Sequence, residues 1–305
     1  MKKVFFFICT YCFCWISKGQ SDLNSSFSSN PDEVLFYTED ITRFWNVFDE
    51  TSPKFKSKVW EQDYLEKGSI GLKNFIKNRI TSGKYLSKVI KKNLSYYNSI
   101  RETSLNINHN TEEFYTIFRK LKAIYPQAVF PDIYFVIGAK NTGGTIFNEG
   151  LIIGIERFGK QTESFTPDIP IDELDDTIAH ELIHFQQRYS RSNTLLAQCI
   201  REGAGDFLGE MLTGHHVGSD MYAYGDAHIT ELKTEFISRK DGNDWYNWLY
   251  YSRDKTRPRN LGYWIGYKIC KAYYEKAKDK KQAIVDILNI QDFDLFLRQS
   301  EYLKN

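Results

Sequence analysis

The strongest constraint on this chain is a short pattern of two histidines and a glutamate. His180, Glu181 and His184 together form H-E-x-x-H. Residues four apart lie on one face of a helix, so His180 and His184 can direct two imidazole nitrogens at the same tetrahedral ion. The intervening and flanking positions are apolar, which predicts a buried helix over 171–189; these residues are Ile178, Ala179, Leu182, Ile183 and Phe185.

Glu181 occupies the position next to His180 and does not point along the same radius as the two histidines. A carboxylate in this place can take a proton from a water molecule bound to the ion. The pattern therefore indicates a metal site with a general base beside it. The alternative interpretation is a pair of hydrogen-bonded core histidines, which needs no metal.

A catalytic zinc has three protein ligands and one open position. The next predicted helix, 194–212, carries Glu202 as the candidate third ligand, and we expect Asn193 to be its N-cap. The alternative third ligands are His216 and His228. His216 is the weaker fit on its surroundings, because His215 and His216 follow Gly214 and are typical of an exposed loop after a helix end.

Small residues surround Glu202 in the sequence. Gly203, Ala204 and Gly205 are expected to let this helix approach the helix of the histidines closely. Asp206 lies one turn beyond Glu202 and is expected to accept the second N–H of a ligating histidine, which would fix its tautomer.

The residues His180, Glu181, His184, Glu202 and Asp206 resemble the motifs of the gluzincins, metallopeptidases in which H-E-x-x-H is followed by a helix bearing E-x-x-x-D. More specifically, the chain resembles predicted zinc-dependent proteases exported by Bacteroidetes, over roughly residue 126 to the end.

This resemblance implies a peptidase that binds one Zn²⁺ per chain and hydrolyses peptide bonds of a peptide or protein substrate through a metal-bound water activated by Glu181. It also implies that 149–158 is an edge strand that receives the substrate, with Gly143 and Gly144 bordering the cleft. Two imidazoles and a carboxylate suit zinc but do not forbid other divalent ions. The alternative function is a non-catalytic zinc-binding scaffold or interaction protein of the cell envelope.

A peptidase of this class also needs a donor for the oxyanion that forms during the reaction. Tyr222, Tyr224 and His228 form one group of candidates. We favour Tyr263, because Gly262 and Gly266 allow close approach of its helix.

Hydrophobic periodicity predicts an α+β fold, mainly helical, with a small sheet before the H-E-x-x-H helix. Helices are expected over most of 20–125, with Asp40 as an N-cap and one helix over 85–101; strands are expected at 128–138 and 149–158. Further helices are expected near 229–237 and from about 261. The change of composition after 125 divides the chain into an N-terminal helical region, 20–125, and a metallopeptidase region, 126–305.

Residues 1–19 are typical of a signal peptide, with two lysines before a short apolar run. We therefore expect an exported protein, periplasmic or secreted, whose mature chain has no stable membrane span; lipid attachment at Cys14 is left open.

Cys199 and Cys270 would remain in the chain after removal of the signal peptide, and the sequence does not decide whether they form a disulfide. With 40 basic and 39 acidic residues, a nucleic-acid partner is not expected.

Overall fold

The computed structural model describes residues 27–107, 111–162, 165–215, 218–252, 254 and 256–304. The expected signal peptide and its three cysteines lie outside these residues. About 61% of the described residues are helical, and a small mixed sheet accompanies the helices. The predicted mainly helical α+β class is therefore confirmed. Within the part of the chain described, every helix is too short or too polar to traverse a lipid bilayer.

Most helices follow one another closely along the chain. They are α1 (Glu39–Thr51), α2 (Ser57–Val59, continued by a π-helical segment Trp60–Leu65), α3 (Ile70–Phe75, continued by a π-helical segment Ile76–Ile80), α4 (Gly83–Lys92), α5 (Leu94–Leu105), α6 (Thr111–Ile124), α7 (Leu174–Gln186), α8 (Leu195–Thr213), α9 (Ser219–Ala227), α10 (Ile229–Arg239), α11 (Leu261–Lys276), α12 (Lys280–Leu288) and α13 (Phe293–Ser300). Most of the sheet, however, lies between α6 and α7, and a long connection joins α10 to α11.

Among the residues that the structure describes, the strands form one sheet of four and one pair. They are β1 (Phe36–Tyr37), β2 (Asp132–Val136), β3 (Gly144–Phe147), β4 (Gly150–Gly154), β5 (Phe158–Gly159) and β6 (Ile169–Pro170). The larger sheet has the order β1-β2-β4-β3, in which only the β3–β4 pairing is antiparallel. Strands β5 and β6 pair separately, in parallel.

The edge of this sheet is not where the resemblance implied. Strand β4 covers half of the expected edge strand 149–158, and it pairs with β2 on one side and β3 on the other. All five of its residues are buried, as expected for an inner strand with side chains packed on both faces. That expectation was wrong: the edges of this sheet are β1 and β3, and β3, whose residues are half-buried, is the edge strand beside β4.

Two compact units make up the chain. Among the described residues, the first runs from residue 27 to Phe118 and from Val129 to Ile178. Its aromatic core is centred on Phe44, whose ring lies 4.9 Å from that of Trp60 and 5.4 Å from that of Tyr64. The Tyr64 hydroxyl donates to the carbonyl of Ile137 at 2.6 Å, just after β2. The N-terminal helices and the sheet therefore share one core.

The second unit contains Arg119–Ala128 and the chain from Ala179 onwards. In its interior, α8 and α11 touch backbone to backbone. A Cβ atom added at Gly266 would lie 1.7 Å from the carbonyl oxygen of Cys199, and one at Gly203 would lie 2.0 Å from the amide nitrogen of Tyr267. The close approach expected at Gly266 is confirmed. Gly203, however, faces α11 and not the helix of the histidines, which corrects that part of the prediction.

The predicted division into regions 20–125 and 126–305 rests on composition alone and stays a prediction. The compact units follow other bounds, because the strands of residues 132–154 pack with the preceding helices.

Two predicted helix caps were wrong for a common reason. Asp40 lies inside the first turn of α1, where it is buried and accepts from the amide of Ser69 at 3.2 Å. Helix α8 begins one residue later than expected: the Thr194 side chain, and not that of Asn193, accepts from the amide of Ala197 at 3.2 Å. In both cases several polar residues precede the apolar pattern, so the sequence does not decide where the helix begins; the N-cap residue of α1 is Thr38, whose side chain makes no capping hydrogen bond.

Other differences concern helix boundaries. The helix expected over 85–101 is two helices, α4 and α5, which meet at Asn93. Helix α9 has no counterpart in the prediction, because residues 219–227 lack a clear apolar period. Strand β1 was also not expected, since two residues are too few to produce an alternating pattern.

The cysteines of the second unit do not pair. Cys199 and Cys270 are both free and buried. Burial raises the pKa of each thiol well above its usual value. Both groups therefore stay protonated at neutral pH and contribute as small apolar side chains.

The contact between α8 and α11 gives a stability prediction. Gly203→Ala is expected to destabilise the protein by about 1–3 kcal/mol, because the added methyl meets backbone atoms that cannot rotate away. The matched variant is Gly209→Ala in the same helix, where a Cβ would meet no atom nearer than 3.6 Å. It should be neutral or stabilising by up to about 1 kcal/mol, since alanine favours helix. Urea unfolding of both variants measures the difference, and equal effects would contradict this account.

Candidate metal centre

Helix α7 supplies two of the side chains of the candidate site. His180 and His184 lie one turn apart, and their rings meet edge to face with centroids 4.5 Å apart. The apolar positions of the helix, including Ala179, Leu182 and Ile183, are fully buried. The helix is thereby held on its apolar sides, and both imidazoles point in one direction.

The third side chain comes from α8. Glu202 is buried, and its Oε2 lies 3.2 Å from Nε2 of His184 and 3.4 Å from Nε2 of His180. One potential ligand atom from each residue lies within 4.8 Å of those of the other two. The structure therefore brings together the three side chains that the sequence singled out as metal ligands.

Gly205 makes this convergence possible. A Cβ atom at this position would lie 2.7 Å from Cε1 and from Nδ1 of His180. Any larger residue would force the imidazole of His180 or the helix itself to shift. The close approach expected between α8 and α7 thus occurs at Gly205 and involves the histidine ring itself.

The outer nitrogen of each imidazole is held by a second residue. Nδ1 of His180 lies 2.8 Å from Oδ1 of Asp206, as the sequence predicted, and Oδ2 of Asp206 accepts from the Tyr222 hydroxyl at 2.7 Å. An ionised carboxylate can only accept, so Nδ1 of His180 carries a proton. This arrangement stabilises the His180 tautomer that leaves Nε2 available to an ion.

His184 is oriented in a comparable way by Gln187. The Gln187 amide nitrogen donates to the carbonyl of Arg201 at 2.8 Å, which fixes the amide so that its Oε1 faces Nδ1 of His184 at 3.0 Å. The proton therefore belongs on Nδ1, and Nε2 again faces Glu202. Sequence reasoning missed this role, although Gln187 lies one helical turn after His184 and the spacing alone could have suggested it.

The donor set fits zinc. With both histidines in these tautomers, three electron-pair donors face one another, which is unfavourable unless a cation or a proton lies between them. Bonds of about 2.0–2.1 Å in a tetrahedron separate neighbouring ligand atoms by about 3.3 Å. The separations of 3.2 Å and 3.4 Å between Glu202 Oε2 and the two imidazole nitrogens are close to that length.

Without an ion, protons take its place. Burial opposes charging the His180 imidazole, but the hydrogen bonds and charges of Asp206 and Glu202 outweigh it and raise the pKa of His180 well above its ordinary value. Burial likewise disfavours the Glu202 carboxylate, yet the two histidines hold the pKa of Glu202 well below its usual range. The metal-free site is therefore an ion pair at neutral pH.

Glu181, the predicted general base, lies on α7 beside His180. Only 8% of it is exposed, so its carboxylate is largely shielded from bulk water.

The oxyanion candidates lie in different surroundings. The ring of Tyr263 is nearly parallel to that of His180, with a centroid distance of 5.8 Å and an interplanar angle of 17°. The hydroxyl of Tyr222 is engaged by Asp206, behind His180. Tyr224 stacks on His228 at 4.0 Å. Tyr263 is therefore the member of this set whose ring lies against the imidazole of a candidate ligand.

The alternative third ligands do not join the group. Among the described residues, the side chains placed to share one ion are His180, His184 and Glu202. His215 is exposed just after Gly214, which ends α8 in the left-handed conformation, as expected. His228 packs against Tyr224. His216 lies outside the residues that the structure describes.

Tyr250 is a further residue that sequence reasoning missed. Its hydroxyl donates to Oε1 of Glu202 at 2.6 Å. It lies 48 residues away along the chain, in the connection between α10 and α11. No local pattern marks this position, so only the folded structure reveals the contact.

The protonated state of His180 predicts that zinc binding releases protons. Zinc requires a neutral imidazole, whereas the raised pKa keeps His180 protonated at neutral pH, so about one proton should leave per zinc bound. Affinity should consequently rise with pH up to the raised pKa. Asp206→Asn should lower this pKa and release fewer protons. Calorimetric titrations in two buffers of different ionisation enthalpy count the protons, and zero release by the unaltered protein would refute the assignment.

Comparison with known proteins agrees with this geometry. No curated protein and no solved structure matches the chain. A family model described as "Predicted Zn-dependent protease (DUF2268)" matches residues 132–293, more than half of the chain and the whole span from β2 through α12 that contains the candidate ligands. The chain therefore belongs to the family of predicted Zn-dependent proteases DUF2268.

Proposed function

We propose that this protein is a zinc-dependent peptidase in which His180, His184 and Glu202 hold one Zn²⁺ per chain. The observation that carries the proposal is the convergence of Glu202 Oε2 on the two Nε2 atoms at 3.2 Å and 3.4 Å. Membership in a family described as predicted Zn-dependent proteases supports it. A non-catalytic site would not need Glu181, a carboxylate that lies next to a ligand and takes no part in the grouping of three.

Each neighbouring side chain has a separate part in the reaction. When bound, zinc supplies a Lewis acid that polarises the scissile carbonyl and acidifies water. A carboxylate oxygen of Glu181 takes the proton of the attacking water and passes it to the leaving amine. Asp206 and Gln187 keep protons on the Nδ1 atoms of the two histidines throughout. Tyr263, whose ring lies against His180, donates to the developing oxyanion.

The substrate we propose is a peptide or a protein. Hydrolysis of an amide is one reaction for which a base beside a three-ligand zinc site is suited, and the family description as predicted Zn-dependent proteases favours it. We also propose that the protein is exported, on the basis of the N-terminal segment 1–19.

The general base is tested with Glu181→Gln. The zinc-loaded variant should cleave a mixed peptide library at least about 100-fold more slowly than the parent, because glutamine cannot accept the proton of water. Glu231→Gln, which removes an exposed carboxylate from the first turn of α10, is the matched control and should keep full activity. A chelator should abolish parental activity, and zinc should restore it.

The same experiment can refute the proposal in two ways. Cleavage by Glu181→Gln at the parental rate would exclude Glu181 as the base. One zinc per chain in the parent, without turnover of any peptide, would support the alternative of a zinc-binding scaffold.

The oxyanion donor is tested with Tyr263→Phe. Loss of one donor should lower kcat by about 100-fold with little change in KM, since the hydrogen bond strengthens only in the transition state. Tyr274→Phe, three turns further along α11, is the control and should retain the parental kcat. An unchanged kcat for Tyr263→Phe would assign the role to another group.

A further inference from the structure

The connection between α10 and α11 has an unusual backbone. Asn247, Tyr250 and Asn260 all adopt the left-handed conformation, with φ of 66°, 59° and 63°. Asparagine tolerates this region, but a tyrosine there is uncommon and costs of order 1 kcal/mol or more. The surrounding contacts must therefore force Tyr250 into it.

Backbone contacts of this connection hold Tyr250 on both sides. Its amide donates to Oδ1 of Asn260 at 2.8 Å, and the amide of Asn247 donates to the carbonyl of Tyr251 at 2.8 Å. The amide of Gly262 donates to the carbonyl of Trp248, also at 2.8 Å. The segment is thus tied to the first turn of α11.

A charged cluster ties the same segment to α10. Glu235 accepts from the indole of Trp248 at 2.9 Å and from Arg257 at 2.8 Å. Arg257 also donates to the carbonyl of Asn247 at 3.1 Å. Trp248 is completely buried. Tyr250 therefore extends from a rigid support, which is the condition for placing a hydroxyl accurately.

This support directs the hydroxyl at one oxygen of the candidate ligand. Tyr250 donates to Oε1 of Glu202 at 2.6 Å, the length of a charge-assisted O–H···O⁻ bond. The other oxygen, Oε2, is the one that faces His180 and His184. The two oxygens of a single buried carboxylate thus have different partners.

We propose that Tyr250 is a positioning residue for the metal site: it occupies Oε1 of Glu202, so that this carboxylate offers the ion only Oε2. A carboxylate that binds through both oxygens fills two coordination positions, whereas one restrained to a single oxygen leaves a position open. The left-handed backbone conformation of Tyr250 directs its hydroxyl at Oε1 from a segment outside the two helices that carry the ligands. The inference rests on the proposed zinc site, but not on peptidase activity.

The test uses metal binding by Tyr250→Phe in the full-length protein. Removing the hydroxyl should weaken zinc binding by about 10-fold, as is typical when a group that orients a ligand is lost. It should also change the visible spectrum of the cobalt-substituted protein towards higher coordination, because Oε1 becomes available. The matched control is Tyr251→Phe, the adjacent residue, which is 64% exposed and should match the parent in both measurements.

A double-mutant cycle separates positioning from general damage. In a Glu202→Gln background, Tyr250→Phe should change zinc affinity by less than about twofold, because the hydroxyl acts through that carboxylate. Equal losses in both backgrounds would overturn the proposal. So would a Tyr250→Phe protein with parental zinc affinity and an unchanged cobalt spectrum.

Activity measurements keep this inference distinct from the peptidase proposal. A parent that binds zinc without cleaving peptides would refute the peptidase function, and the Tyr250 measurements would still decide the role of the hydroxyl.

Discussion

The candidate site depends on one buried carboxylate facing two imidazoles. Glu202 lies on a different helix from His180 and His184, and all three side chains are largely removed from water. Three electron-pair donors in such a place repel one another unless positive charge lies among them. In the metal-free protein this charge is a proton, and in the proposed function it is Zn²⁺. The raised pKa of His180 and the depressed pKa of Glu202 are consequences of the same arrangement.

Close packing of helices at glycines, together with three orienting side chains, holds the three candidate ligands in place. Gly205 lets α8 approach the His180 ring, and Gly203 with Gly266 brings α11 against the opposite part of α8. Helix α8 is therefore fixed between two partners by contacts in which a single methyl group would interfere. Outside this contact, Asp206 and Gln187 hold the outer nitrogens of the histidines, and Tyr250 holds the outer oxygen of the glutamate. Each of the three candidate ligands thus has one orienting partner, which is the usual condition for a tight metal site.

Local patterns predicted the fold class and most helices but not the details of the sheet. The apolar period of α7 and its buried face follow from the sequence, as does the close approach at Gly266. The expected edge strand was wrong because five consecutive apolar or small residues in β4 do not indicate how many neighbours a strand has. The caps at Asp40 and Asn193 were wrong because several adjacent polar residues offer themselves as caps: Asp40 lies inside its helix and accepts from Ser69, and the neighbour of Asn193, Thr194, caps α8.

The sequence by itself determined the relation between His180 and His184, since helical periodicity fixes the direction of residues four apart without help from the rest of the chain. It also indicated Glu202 and Asp206, through a motif carried by one further helix. Only the tertiary structure decided which other groups orient these ligands, and that Oε1 of Glu202 contacts Tyr250 while Oε2 faces the two histidines. Gln187 depends on the carbonyl of Arg201 for its orientation, and Tyr250 reaches Glu202 across 48 residues from a loop with no recognisable pattern. These contacts arise from the packing of separate elements, and packing is a property of the whole fold that no short stretch of sequence contains.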